Sequence, residues 1–91
     1  MDVRQLEMFR SVAEEGGFTR AAERLHVSQS AVSRQVKLLE EELGSLLLHR
    51  QGRRVALTSS GELLLKLANR VQRDMQDALW QMSARWVGMP L

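Results

Sequence analysis

Apolar residues recur every three or four positions near the start of the chain. Within residues 3–15 they are Val3, Leu6, Phe9, Val12 and Ala13. This spacing predicts an amphipathic helix whose apolar face packs into a core. Asp2 stands where a side chain can cap the helix, and the pair at 16–17 is Gly-Gly, which favours its end.

Residues 18–44 predict a short helix, a tight turn and a longer helix. Only His26 and Val27 separate the two helices, so they must cross steeply, as in a helix-turn-helix. Thr19 can cap the first of them and Ser28 the second, and Gly44 is a natural stop. The apolar stripe of the longer helix is Val32, Val36, Leu39 and Leu43. We expect this stripe to face Ala21, Ala22, Leu25 and Val27 in the core, and Phe18 to fill the core between the first helix and this pair.

The opposite face of the longer helix is polar at its beginning. It carries Gln29, Ser30, Ser33, Arg34 and Lys37. Such donors and acceptors read base edges in DNA, and a recognition helix enters the major groove by its N-terminal part. Its glutamates come only at the far end, at residues 40–42, where they would lie away from the negatively charged DNA. An ordinary amphipathic helix with a solvated face is the alternative.

The pattern changes after residue 44. The short apolar runs at 45–49 and 55–57 flank the polar segment Arg-Gln-Gly-Arg-Arg, which is typical of a β-hairpin. A hairpin that follows a helix-turn-helix is a wing. Arg53 and Arg54 at its tip can lie along phosphates or enter a narrow minor groove; otherwise they are solvated loop residues. Leu48 also fits the tail of an extended helix.

The last stretch predicts one long helix from residue 59 to about residue 87. Thr58 is a candidate cap, and Ser59 with Glu62 matches a capping box. A heptad seam runs along the helix through Leu64, Ala68, Val71, Met75, Ala78 and Met82. A helix of this length cannot bury such a stripe on a small head, so we expect a partner, most simply a second copy. The alternative is that the stripe packs only on its own head.

Composition narrows the function classes. The chain has 91 residues, a formal charge of +2, a pI of about 9.9 and no cysteine. The absence of cysteine excludes disulfides and thiolate metal sites, and neither His26 nor His49 has ligand neighbours at metal spacing. No apolar run approaches the roughly 18 residues of a membrane span. We therefore expect a cytoplasmic protein without cofactor or metal, and not an enzyme, since no nucleophile–base pair is visible.

With these residues in view, the chain resembles the N-terminal part of LysR-type transcriptional regulators over residues 2–85. The matching features are the segment at 6–44, the wing pattern R-x-x-R-x-V-x-L-T from Arg50 to Thr58, and Gly61 at the start of the last helix. The resemblance implies a winged helix-turn-helix that binds bacterial promoters and a linker helix that dimerises antiparallel. The base contacts it implies are Gln29, Ser30, Ser33 and Arg34 in the major groove and Arg53 in the minor groove. The phosphate contacts it implies are Ser28, Lys37, Arg50, Arg54, Thr19 and Arg20.

The chain departs from the family pattern at three positions. Ser30 stands where proline is common, Leu48 where phenylalanine is common, and Ser60 where alanine is common. The family also carries a C-terminal effector-binding domain that this sequence lacks. The chain is thus either a fragment or a short relative, and a small-molecule effector, or contacts of a higher oligomer, would belong to that other domain.

The sequence therefore predicts a mainly α fold, with a three-helix head, a β-hairpin wing and a long linker helix. We divide it into a winged helix-turn-helix at 1–58 (helix-turn-helix about 18–43, wing about 46–57) and a linker helix at 59–91 whose end frays. The predicted function is sequence-specific binding of double-stranded DNA by a homodimer at an inverted-repeat promoter site. The alternative is a protein-interaction module in which the long helix is the active part.

Overall fold

The computed structural model describes residues 1–87, with side chains through residue 85. Its elements are α1 (Val3–Glu15), α2 (Phe18–Leu25), α3 (Gln29–Leu43), β1 (Leu48–Gln51), β2 (Arg54–Leu57) and α4 (Ser59–Val87). The predicted mainly helical architecture is confirmed. The molecule measures 56 × 25 × 18 Å, because α4 projects far beyond the head formed by α1–α3 and the hairpin. Of the end predicted to fray, all but Val87 lies outside the described residues.

Local capping residues set the boundaries of α1 and α3. Asp2 accepts a hydrogen bond from the Gln5 amide at 2.7 Å, and Ser28 accepts one from the Ala31 amide at 3.1 Å. Gly44 follows α3 in the left-handed conformation, with φ of 66°. These predicted caps are confirmed. The cap predicted at Thr19 is wrong, because α2 begins one residue earlier, at Phe18, and the preceding residue is a glycine without a side chain.

The core lies between the three head helices and the first turns of α4. Val32, Val36 and Leu39 are almost completely buried, as the stripe of α3 predicts. The fully buried Phe9 and Val12 of α1 pack in the same cluster, as do the buried Phe18, Ala21 and Ala22 of α2, with Leu25 and Val27 packed at its edge.

Two residues at the ends of the predicted stripes lie outside the core. Leu43 is 41% exposed, because the last turn of α3 borders an open depression beside Leu63 and Leu67 of α4. Val3, in the first turn of α1, is 54% exposed. Helical periodicity identifies a face but does not say where the neighbouring elements stop covering it.

The hairpin is antiparallel, with Leu48 paired to Leu57 and Gln51 to Arg54. It begins later than the apolar run at 45–49 predicts. The carboxylate of Glu40 on α3 accepts hydrogen bonds from the amides of Leu47 and Leu48, at 2.8 and 3.4 Å. This contact holds the chain in an irregular segment before β1. Leu48 is therefore a strand residue and does not extend a helix.

The start of α4 is fastened to this same segment. The Thr58 hydroxyl donates to the Leu46 carbonyl at 2.5 Å and accepts from the Gly61 amide at 3.0 Å. Thr58 is thus the cap of α4, whereas the capping box suggested for Ser59 and Glu62 is not formed. A Cβ at Gly61 would lie 2.1 Å from the Leu47 carbonyl oxygen, so this position requires glycine for space rather than for φ.

We expect Gly61→Ala to destabilise the protein by at least about 2 kcal/mol, because the methyl group must displace backbone atoms of the segment before the wing. Helix propensity alone predicts the opposite sign, a gain of about 1 kcal/mol. Urea unfolding measures the difference, with Ser59→Ala in the same turn as the control. Greater stability of Gly61→Ala would contradict the close approach.

Candidate nucleic-acid interface

The polar beginning of α3 faces outward. Because the stripe through Val32 and Val36 is buried, the opposite side chains point away from the core. Gln29, Ser30, Arg34 and Lys37 are exposed, and Ser33 is half-buried. The structure therefore presents the predicted base-reading side chains together on one face of one helix.

The turn between α2 and α3 is held by backbone geometry. His26 adopts the left-handed conformation with φ of 57°, which is uncommon for a residue other than glycine. Its amide donates to the Glu23 carbonyl, and the Val27 amide donates to the Ala22 carbonyl at 3.1 Å. These bonds close α2 and lead directly to Ser28, the cap of α3.

The wing is anchored to the turn between α1 and α2. The Val55 amide donates to the Gly16 carbonyl at 3.1 Å, and a Cβ at Gly17 would lie 3.1 Å from the Arg53 carbonyl oxygen. The hairpin turns at Gly52, whose φ is 63°. Arg53 and Arg54 beside it are exposed.

This anchoring forms a groove between the wing and the helix-turn-helix. Arg53 and Arg54 line it from the wing, and Gln29 from α3. Thr19 and Arg20 line it from α2. The fold thus brings onto one surface residues that are far apart in the sequence. The sequence predicts them as DNA contacts within separate elements.

Arg50 connects the wing to α3. The sequence placed it in the hairpin loop, but it lies in β1, opposite Val55. Its guanidinium carbon is 4.6 Å from the centre of the Phe18 ring, and its Nη2 donates to the Ser33 hydroxyl at 3.3 Å. A cation over an aromatic face at an exposed site contributes about 0.5–1 kcal/mol. Arg50 therefore already has partners within the protein.

Two further contacts orient the exposed side chains of α3. The Thr19 hydroxyl donates to the Gln29 side-chain carbonyl at 3.3 Å, and the hydroxyls of Ser28 and Ser30 are 3.2 Å apart. Thr19 thus contacts a predicted base-reading residue instead of capping its own helix. Sequence reasoning missed this pairing, since helical periodicity carries no signal for a contact between two helices.

Apart from Arg4 on α1, the cationic side chains of the head that form no salt bridge within the described residues lie on this surface. Its cationic side chains are Arg20, Arg34, Lys37, Arg50, Arg53 and Arg54, and none of them forms a salt bridge within the described residues. Arg10 and Arg24, by contrast, pair with glutamates. Free cations on one face suit a partner that carries regularly spaced negative charge.

The predicted seam of α4 divides into two parts. Leu64 and Ala68 are buried, at 8% and 3% exposure, in the core of their own head. Their prediction as members of a seam between two copies is wrong, because the single chain already buries both side chains. Val71 is half-buried at the edge of the same core. The members of the seam that are exposed are Met75, Ala78 and Met82.

More apolar surface lies beside the exposed part of the seam. Leu79 is 58% exposed and Trp80 is 74% exposed. Trp80 does not pack on α1 of its own head, because most of its side chain is exposed. The outer half of α4 therefore keeps an unpaired apolar face in the single chain.

Residues 1–87 show neither a candidate metal site nor a candidate membrane span. That part of the chain contains no cluster of histidine and acidic side chains suited to a metal ion. It also has no helix whose length and hydropathy would allow it to cross a bilayer.

Comparison with known proteins identifies the architecture. The family model described as "Bacterial regulatory helix-turn-helix protein, lysR family" matches residues 3–62. A probable cat1 operon transcriptional activator of Acinetobacter lwoffii is 44% identical over 89 residues, which cover 98% of this chain and 29% of that protein. The chain thus spans less than a third of the length of that relative.

Two crystal structures of complexes with DNA have the same fold. The CbnR_DBD–DNA complex matches with a TM-score of 0.83 at 40% identity, over 93% of this chain and 98% of that one. The complex of BenM_DBD with catB site 1 DNA matches with a TM-score of 0.86 at 37% identity, over 99% and 100%. This confirms the winged helix-turn-helix with a long C-terminal helix. The chain belongs to the LysR family of bacterial regulatory helix-turn-helix proteins.

Proposed function

We propose that this chain is the sequence-specific DNA-binding module of a LysR-type transcription regulator and acts as a homodimer on an inverted-repeat promoter site. The observation that carries the proposal is the single surface where the polar start of α3 meets the wing arginines, whose cations form no salt bridge among the described residues. Similar chains crystallised with DNA support it. Promoter DNA lies in the bacterial cytoplasm, so the proposal places the protein there.

The two halves of the chain take different parts in this function. We assign residues 1–58 to the DNA-binding head and residues 59–91 to the linker helix. Phosphate contacts position the head on the duplex, and side chains in the grooves select the sequence.

The proposed contacts follow the exposed surface. For base reading we assign Gln29, Ser30, Ser33, Arg34 and Arg53. For the phosphates we assign Ser28, Lys37, Arg54, Thr19, Arg20 and Arg50. Arg50 must keep or exchange its bond to Ser33 to make such a contact.

Dimerisation supplies the second half-site. The exposed apolar side chains Met75, Leu79 and Met82 on the outer half of α4 are suited to burial against the same face of a second copy. Linking two heads in this way raises affinity, because the second half-site is bound at high effective concentration. The rival function, in which α4 serves another protein and the head has no affinity for DNA, uses the same apolar face.

Arg34→Ala tests base reading. If Arg34 binds guanine through both its terminal nitrogens, its loss should weaken binding to the preferred duplex by about 1–3 kcal/mol and relax the base choice at that position. Fluorescence anisotropy on the preferred duplex and on a scrambled duplex measures both effects, with Arg70→Ala on α4 as a control for the loss of one positive charge. Equal weakening on both duplexes would exclude base reading by Arg34.

Lys37→Ala tests phosphate contact. All sequences should be bound more weakly to a similar extent, and the slope of log K against log salt should become less steep by about one unit. Titrations at several salt concentrations give the slope. A slope equal to that of the unsubstituted protein would remove Lys37 from the phosphate contacts.

Met82→Glu tests the dimer. The substitution puts a charge into the proposed apolar interface while helix propensity stays nearly constant, so the protein should become monomeric. Analytical ultracentrifugation measures the association, and Gln81→Glu adds the same charge to a neighbouring exposed position as the control. A dimer equally stable in both variants would place the interface elsewhere.

A further inference from the structure

Arg10 forms a polar clamp between the head and α4. It lies on α1, and its side chain is only 13% exposed. Its Nε donates to the side-chain oxygen of Asn69 on α4 at 2.9 Å, and its Nη2 lies 2.8 Å from a carboxylate oxygen of Glu14. Glu14 also pairs with Arg24 of α2 at 3.2 Å. The clamp therefore joins α4, α1 and the first helix of the helix-turn-helix.

Asn69 stands near the point where α4 leaves the head. Leu64 and Ala68 before it are buried, Val71 and Gln72 after it are half-buried, and the side chains at 73–85 are exposed. The beginning of the helix is fixed at Thr58 and Gly61. Because its beginning is fixed, α4 can move relative to the head by swinging about that point. The clamp lies about 12 Å along the helix from Gly61.

Side-chain packing sets the angle between two helices only within a scatter of about 15–20°. Leu6, Ala68 and Val71 supply the apolar surface between α1 and α4. The guanidinium group has donors in a fixed planar fork, so its hydrogen bond to Asn69 does depend on direction, and the ion pair with Glu14 holds the group in place. Arg10 is thus the group best suited to set the angle of α4.

We infer that Arg10 and Asn69 are positioning residues that set the angle of α4 on the head and, through it, the spacing between the two half-sites. This inference rests on the proposed DNA-binding dimer. From the fixed beginning at Gly61 to Met82 the helix extends roughly 32 Å, so a swing of about 6° moves the outer part by about 3.3 Å. That displacement equals about one base-pair step of the duplex. If the angle of α4 on the head becomes slightly more variable, the dimer therefore loses its preference for one spacing between half-sites.

Asn69→Leu removes the acceptor and keeps a side chain of similar size. The experiment measures the affinity of the dimer for duplexes whose half-sites stand at the preferred spacing, or one or two base pairs closer or farther apart. The ratio of affinities between the best and the neighbouring spacings should fall about fivefold, because a hydrogen bond to a charged group is lost. Asn69→Asp keeps an oxygen opposite Arg10 and should restore the ratio.

The outcomes separate positioning from a merely structural role. An equal loss of affinity at every spacing in Asn69→Leu, with the ratio unchanged, would overturn the inference and leave the proposed dimer standing. An unsubstituted protein with no spacing preference would overturn both. If Asn69→Leu does not fold, Asn69→Ser, whose hydroxyl is too short to reach Arg10, takes its place with the same expected result.

Discussion

The backbone at Leu47 is the point on which the arrangement of the whole molecule depends. Its amide donates to the Glu40 carboxylate of α3, and its carbonyl accepts from the Thr58 amide at 3.0 Å. Gly61 of α4 approaches the same carbonyl so closely that no Cβ fits. One residue thus joins α3, the end of the wing and the start of α4.

Function follows from what this junction holds in place. The buried stripe of α3 turns its polar start outward, and the bond from Val55 to Gly16 brings the wing to the same side. Arg50 then connects the wing to Ser33 of α3. In the proposed function, the head thus presents the side chains for two grooves of a duplex on one surface. Sequence selection needs these side chains held in place, since each base contact depends on the position of its side chain.

The sequence predicted local features well because short-range chemistry determines them. Ser28 and Thr58 act as caps through bonds to amides three residues away, and such bonds are visible in the spacing of residue types. The cap at Thr19 and the capping box of Ser59 and Glu62 were local errors, whereas the larger errors and omissions are non-local. Leu64 and Ala68 fit a heptad seam, but they are buried in the core of their own head, and the clamp from Arg10 joins residues 59 positions apart. Likewise, nothing in the sequence indicated that the wing arginines and the start of α3 line one groove.

Selection of bound duplexes from a random pool, at near-physiological salt, tests the central claim most directly. Salt must be stated, because affinity for DNA depends steeply on it. The account predicts enrichment of an inverted repeat whose half-sites stand near a whole number of helical turns apart. Retention of duplexes without any enriched sequence would contradict sequence reading and leave only a basic surface. No retention at all would contradict DNA binding and favour a protein partner for α4.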